Sequence, residues 1–369
     1  MRGPAVRPVV IAAGGTGGHF FPAEALAAEL VRRGQRVVLM TDARSGGLAS
    51  GTFEGRERFV LAGAGLAGRG LVRAARAAAA LAHGTLQARR ILGQLDAACI
   101  VGFGGYPSVA PVLASRLLAR RPRVVLHEQN AVLGRANRFL ARFADVLALS
   151  QAATQRVPAG LAREVTGNPV RPAIAALCGG GYTPPDARMN LLVLGGSLGA
   201  RVFSDVVPPA LALLPAALRT RLRVVQQCRA EDLARVGAAY GQSGITADLA
   251  PFFADVAARL AAAHLVIGRA GASSVAELGV VGRPAILVPL PGAIDDHQSA
   301  NARALGDGAV VVAQRDATAE ALAGKIAALL ESPPRLAAMA AAAGAHGRAS
   351  AAAALADLVE RVAAMEGVA

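Results

Sequence analysis

Short apolar runs alternate with longer stretches of helical spacing along most of the chain. Val9–Ala13 is apolar throughout and reads as a strand buried on both faces. Glycines fill 14–18. From Phe21 to Arg33 the residues Leu26, Leu30 and Val31 then share one helical face, and Gly34 ends the helix. Val37–Met40 is the next apolar run, so the chain opens as a βαβ unit. Ala98–Val101, Val124–Leu126 and Val146–Leu149 continue the series, with a long helix expected over Leu71–Leu92. A second series runs through Leu191–Leu194, Arg223–Gln226, Leu265–Ile267, Ala285–Val288 and Ala309–Val312, followed by an Ala-rich helical tail from Pro333. Strands alternating with helices predict an α/β protein with parallel, doubly wound sheets. A Pro- and Gly-rich stretch over 167–185 divides the two series and reads as a linker.

The chain has 369 residues, which at roughly 100–200 residues per domain also suggests two domains. It is 54% hydrophobic and 17% charged, enough apolar material for a sizeable core and too much for disorder. The formal net charge of +14 is carried almost wholly by arginine, Lys325 being the sole lysine. Such a balance favours acidic partners, namely phosphates, anionic lipid or nucleic acid. Nucleic acid is disfavoured because aromatic platforms are scarce: aromatics make up 4% and Trp is absent. Cys99, Cys178 and Cys228 are far apart and odd in number, which reads as reduced thiols rather than a disulfide framework. Val9–Ala13 is too short for the core of a signal peptide, and no apolar stretch reaches the roughly 18 residues of a membrane helix. The expectation is a cytosolic chain, soluble or peripheral on a membrane.

Candidate chemistry collects where apolar runs give way to glycine. Gly14–His19 follows the first run and precedes a helix, where exposed amides and the helix dipole favour an anion. It also reads as a turn needed only for helix–sheet packing. A dinucleotide fingerprint would require a glycine at Phe20; Asp42, at the end of the second run, keeps a nicotinamide-dependent oxidoreductase as an alternative. Gly195–Ala200 repeats the arrangement in the second half, and the pair suggests helix N-termini around a ligand. In Gly268–Glu277, Ser273 or Ser274 is expected to cap a helix whose first amides hold a phosphate. Glu277 suits either a ribose diol or a capping box. Gly104–Ser108 and His127–Asn130 are polar clusters after strands. Arg171 can pair with phosphate, and Asp295–Asn301 is a polar loop or part of the site. His19 stands at a helix N-terminus and is a candidate general base, or else a structural hydrogen-bonding group. There is no Ser-His-Asp signature, no HExxH, no Walker A and no DxD, the short acidic motif that could hold a metal on a diphosphate. Helix termini and arginine would then have to meet the departing charge.

Taken in order, GGTGGH at 14–19, GGYPS at 104–108, HEQN at 127–130, GNPVR at 167–171, GGSLGA at 195–200, GASSVAE at 271–277 and the D-x-x-Q-x-x-N pattern of 295–301 resemble one family, the bacterial lipid II-forming N-acetylglucosaminyltransferases called MurG. The resemblance implies the GT-B fold, two Rossmann-like domains facing across a cleft. It places an acceptor- and membrane-side domain over 1–166, a linker over 167–186 and a UDP-GlcNAc-binding domain over 187–345. A C-terminal helix over 346–369 would pack back on the first domain. It implies metal-independent, inverting transfer of GlcNAc from UDP-GlcNAc to the 4-hydroxyl of the muramoyl sugar of lipid I. On this likeness the donor site comprises Thr16, Gly17, Gly18, Asn130, Arg171, Ser197 and Phe253, the diphosphate-holding stretch Ala272, Ser273, Ser274, Val275 and Ala276, then Glu277 on the ribose and Gln298 on the sugar. His19 is the favoured base, with Glu128 behind it. Ser273-Ser274 stands where Leu-Thr is frequent, and His297 where Gln is common. The resemblance also implies peripheral attachment at the cytoplasmic face of the inner membrane, with anionic lipid and other wall-synthesis or division proteins as partners. Leu66–Arg90 carries Arg69, Arg73, Arg76, Arg89 and Arg90 among alanines, which predicts attachment dominated by charge. Another UDP-sugar enzyme of the same fold and a non-enzymatic basic binding module are the remaining alternatives.

Overall fold

The computed structural model describes residues 7–15, 17–43, 51–62, 71–196 and 199–365, apart from the side chains of 71–74. Thr16 and Ser197, both expected in the donor site, and Arg69 of the expected basic face lie outside the described residues, as does the side chain of Arg73.

The chain divides into two compact units, Met1–Arg171 with Ser350–Ala369, and Pro172–Ala349. The first contains seven parallel strands: β1 (Val9–Ala12), β2 (Val37–Asp42), β3 (Arg58–Leu61), β4 (Cys99–Gly102), β5 (Arg123–Glu128), β6 (Val146–Leu149) and β7 (Arg163–Val165). Their spatial order is β3-β2-β1-β4-β5-β6-β7. The second holds β8 (Met189–Leu194), β9 (Leu222–Gln227), β10 (Thr246–Ala250), β11 (Leu265–Gly268), β12 (Ala285–Leu287) and β13 (Ala309–Val311), in the order β10-β9-β8-β11-β12-β13. Each sheet therefore reverses direction once, between β1 and β4 and between β8 and β11. In open parallel sheets ligands bind at this reversal, outside the carboxyl ends of the strands.

Alternate residues of the first sheet feed two separate cores, as a period of two requires. Val9, Ile11, Val37, Leu39, Cys99 and Val101 pack with Phe20, Leu26 and Leu30 of the Gly17–Arg32 helix. The same layer takes Leu355, Leu358, Val359 and Val362 from the final Ala351–Ala364 helix. Val10, Ala12, Val38, Met40, Ile100 and Val124 face Ala88 and Leu92 of the Leu71–Leu95 helix instead. The final helix is also tied by charge: the Arg33 guanidinium reaches Asp357 at 2.6 Å and Glu360 at 2.7 Å while holding Glu29 at 2.8 Å.

Several details differ from the sequence reading. The first helix starts at Gly17 rather than Phe21 and carries Pro22 inside it, at the sixth position, where the proline has no amide hydrogen to donate to the Gly18 carbonyl four residues back. β3, β7 and β10 have no counterpart among the expected strands. Each is an edge strand with exposed charged positions, so it lacks the continuous apolar run of a buried strand. Residues 167–171, expected in a linker, lie with the first unit: the Gly167 carbonyl accepts a hydrogen bond from His127 at 3.0 Å, and the Arg171 guanidinium sits 5.2 Å over the Phe21 ring.

Candidate active site

The loops after β1, β4 and β5 meet at the reversal of the first sheet. Ser108, buried after β4, donates from Oγ to the carbonyls of Ala12 and Gly104, both at 3.0 Å, and so fixes the β4 loop against the end of β1. Gly105 has φ +67° and ψ −178°, a region open essentially to glycine alone. A Cβ there would stand 3.3 Å from His19 Cδ2 and 3.6 Å from its Nε2. The GGYPS turn thus flanks the imidazole that opens the first helix. Gly17 and Gly18 precede His19 in that helix; a Cβ at Gly17 would strike the Phe21 ring at 2.8 Å.

β5 delivers His127, Glu128 and Gln129 to the same place with opposite orientations. His127 and Gln129 share one face. Gln129 Oε1 lies 2.8 Å from His19 Nδ1, and its Nε2 donates to the His127 ring at 2.9 Å and to the His127 carbonyl at 3.0 Å. His127 is fully buried, with its ring 5.3 Å from that of Phe103, and burial pushes its pKa down to about 4. Glu128, also buried, is aimed elsewhere. Its Oε1 accepts from the Asn130 amide at 3.0 Å and Asn130 Nδ2 at 2.9 Å; its Oε2 accepts from the Gly134 amide and Asn137 Nδ2, both at 2.9 Å. Four donors on one carboxylate make it the anchor of the 130–137 segment, which positions Asn130. The lone pairs of a carboxylate so engaged are taken up by the segment it anchors.

In the second unit the turns after β8 and β11 occupy the corresponding reversal. A Cβ on Gly195 would meet the Ala200 amide at 2.2 Å, so only glycine lets the turn fold back on its helix. Gln227 braces this turn, accepting from the Gly195 amide at 3.2 Å and donating to the Pro251 carbonyl at 3.1 Å. Two residues beyond Pro251, Phe253 is buried beneath the Arg259 guanidinium, 4.0 Å from the ring centroid.

After β11 the Ala272–Val281 helix begins with Gly271 as its N-cap and without a side-chain cap. This corrects the expectation that Ser273 or Ser274 would cap it: both already lie inside the first turn. Ala272, Ser273 and Ser274 precede the first intrahelical bond, from the Val275 amide to the Gly271 carbonyl at 3.0 Å, so their amides point along the axis at the positive end. The residues 272–276 are half-exposed, as an anion site requires. Glu277 is buried at the sixth helical position, too far along to be a capping-box acid. Asn301, buried on the His297–Arg303 helix, donates to the Ala270 carbonyl at 3.1 Å and holds the turn that leads into these amides. Gln298 accepts from the Leu290 amide at 3.0 Å.

His127, Gln129, Asn137, Gln227 and the link from Asn301 to Ala270 carry much of this architecture; the sequence reading marked 127–130 and 295–301 as polar clusters but gave none of these residues its bracing part. Parity along β5 was the available signal, since 127 and 129 must face one way and 128 the other.

Two Rossmann-ordered units, each with a glycine turn and a helix N-terminus at its sheet reversal, define a glycosyltransferase of the GT-B class. Residues 9–148 match the glycosyltransferase family 28 N-terminal domain, and residues 190–359 match its C-terminal domain. The chain is 64% identical, over 98% of its length and 95% of the other protein, to the UDP-N-acetylglucosamine--N-acetylmuramyl-(pentapeptide) pyrophosphoryl-undecaprenol N-acetylglucosamine transferase of Granulibacter bethesdensis. It is 57% identical to the enzyme of the same name from Acidiphilium cryptum, over 97% of this chain and 98% of that one. The crystal structure of Acinetobacter baumannii MurG superposes with a TM-score of 0.78 at 31% identity, covering 96% of this chain and 99% of that chain. The chain belongs to the MurG family of glycosyltransferase family 28.

Proposed function

We propose that the chain transfers N-acetylglucosamine from UDP-N-acetylglucosamine to the 4-hydroxyl of the N-acetylmuramoyl sugar of undecaprenyl-diphosphate-linked lipid I, releasing UDP and lipid II in peptidoglycan synthesis. The observation that carries the reading is identity of 64% over nearly the whole length with a relative bearing that activity in its name. In this reading His19 Nε2 takes the proton of the 4-hydroxyl, the hydroxyl oxygen forms the new bond to C1, and the bond from C1 to the UDP oxygen breaks with inversion. Residues 272–276 hold the diphosphate, and the charge gathering on UDP is met by the amides at the start of that helix, ahead of Val275, preorganised by the helix rather than recruited during the reaction. Glu277 takes the ribose hydroxyls, Gln298 the sugar and the Phe253 backbone the uracil. Gly17, Gly18, Asn130 and Arg171 complete the donor site, together with Thr16 and Ser197.

Attachment to the membrane face is part of the same proposal. No helix among the described residues is long and apolar enough to cross a membrane. The Leu71–Leu95 helix exposes Arg76, His83, Leu86, Arg89 and Arg90, and Arg89 bonds the carbonyl of exposed Leu117 at 3.0 Å, next to exposed Arg116 and Arg120. Basic residues at an anionic surface contribute up to about 1 kcal/mol each. Flotation with phosphatidylglycerol vesicles should be strong at low salt and lost at high salt; absence of binding at low salt would remove this part.

The catalytic reading is tested with His19→Ala. UDP-GlcNAc binding should persist while turnover with a lipid I analogue falls about 10²–10⁴-fold, the usual worth of a general base. Turnover near wild type would exclude His19 as base.

A further inference from the structure

The buried polar chain behind His19 ends on a fixed backbone acceptor, and this determines where every proton in it lies. The Gly167 carbonyl can only accept, so His127 Nε2, 3.0 Å away, must carry a hydrogen. His127 is fully buried and stays neutral above pH about 4, so its Nδ1 is a lone pair. Only the amide nitrogen of Gln129 can serve that lone pair, and the second hydrogen of the same nitrogen serves the His127 carbonyl at 3.0 Å. The amide oxygen of Gln129 is thereby turned to His19, where it accepts from Nδ1 at 2.8 Å. The amide orientation follows from the chain itself.

We infer that Gln129, oriented by His127 and the Gly167 carbonyl, is a positioning residue that holds neutral His19 in its Nδ1–H tautomer and keeps the Nε2 lone pair for the acceptor hydroxyl. The opposite tautomer would put a hydrogen on Nε2 and a lone pair against the Gln129 oxygen. It could neither accept the proton nor keep the contact. Nε2 is the ring edge that faces the Gly105 turn at the end of β1 and β4. The relay differs from a carboxylate-backed histidine in being uncharged throughout. It selects a tautomer and an orientation without adding a negative charge that would raise the basicity of His19.

The inference rests on His19 being the base, and its test does not need turnover. The chain has six histidines, few enough for two-bond ¹H–¹⁵N correlation spectra of histidine-labelled protein, with His19→Ala supplying the assignment. Wild type near pH 8 should show His19 protonated at Nδ1 with Nε2 bare. Gln129→Leu should lose that preference and lower kcat about 10–100-fold, with KM for UDP-GlcNAc little changed, since a misassigned tautomer disables a histidine base without displacing it. Gln129→Glu still offers Nδ1 an acceptor, and as the protonated acid its O–H can serve the His127 Nδ1 lone pair in place of the amide nitrogen, so that form should retain the Nδ1–H tautomer. It should recover most of kcat toward the acid end of the active range and lose it as the carboxyl ionises against the His127 acceptors. A wild-type His19 protonated at Nε2 would overturn the inference, as would wild-type kcat in Gln129→Leu. So would equal losses in the Leu and Glu variants at every pH, the pattern of a purely structural residue. If His19→Ala proves active, the base assignment fails while the spectrum still reports whether the tautomer is held.

Discussion

Replacing His127 tests the electrostatics of the first unit. Its imidazole is fully buried, and loss of hydration outweighs the help of the Gly167 carbonyl and Glu128, so its pKa falls from 6.5 to about 4. The unfolded chain takes up this proton near pH 6.5 and the native chain only near pH 4, so the unfolded state binds more protons inside that window. Stability contributed by the neutral ring is therefore intact above pH 6.5, declines as pH falls, and is fully lost below pH 4. At 1.36 kcal/mol per pKa unit the total is about 3 kcal/mol, and the part lost between pH 7 and pH 5 is about 2 kcal/mol. That part lies above the range where ordinary carboxylates titrate. For a unit of this size it corresponds to roughly 4–8 °C of melting temperature. Calorimetry of wild type and His127→Gln from pH 7 to pH 5 should show a shallower decline in the variant by that amount, whatever its absolute stability. NMR titration of the wild type provides a second reading that does not depend on the variant folding. Equal slopes in the two proteins, or a His127 that titrates near 6.5, would refute the reasoning.

Gly105→Ala should cost about 1–3 kcal/mol, because the backbone there is accessible essentially to glycine, and should lower kcat more than it raises donor KM, because the methyl lands 3.3 Å from His19; steady-state kinetics and thermal melts check both. Glu128→Gln turns one acceptor into a donor that faces two other donors, so a loss of about 2–4 kcal/mol is expected. An unchanged melting temperature with abolished turnover would instead favour proton transfer by Glu128. Arg33→Ala should release the final helix from the first unit, at about 1 kcal/mol after solvent screening, visible as faster amide exchange over 351–364. Glu29, drawn down to about 2 by Arg32 and then Arg33, contributes stability that is complete above pH 4.5 and disappears as pH falls toward 2, so the wild-type advantage over Arg33→Ala should shrink in acid.

The fold was legible where strands are buried on both faces. β1, β2, β4, β5, β6 and β8 each carry a stretch of consecutive apolar residues, mostly Val, Ile, Leu and Ala, because both sides meet a helix layer. The edge strands β3, β7 and β10 were not legible, since half-exposed strands of Arg, Glu, Asp and Thr carry little pattern of their own and form only by pairing with a finished neighbour. The glycine turns were legible because other residues are excluded, at Gly195 by close backbone approach and at Gly105 by a backbone conformation open essentially to glycine. The division of labour inside HEQN was not. It depends on long-range partners, Gly167 for His127 and Gly134 and Asn137 for Glu128, which residue type alone does not reveal. The same applies to the helix after β11, where serines placed to cap it lie inside the first turn and Gly271 does the capping.

UDP release by the purified chain from UDP-N-acetylglucosamine, with and without an undecaprenyl-diphosphate-linked N-acetylmuramoyl-peptide acceptor, tests the central claim most directly. Release that depends on the acceptor, accompanied by one N-acetylglucosamine added per acceptor, is the predicted result. Release that is indifferent to the acceptor, or an acceptor left unmodified while UDP accumulates, would contradict it.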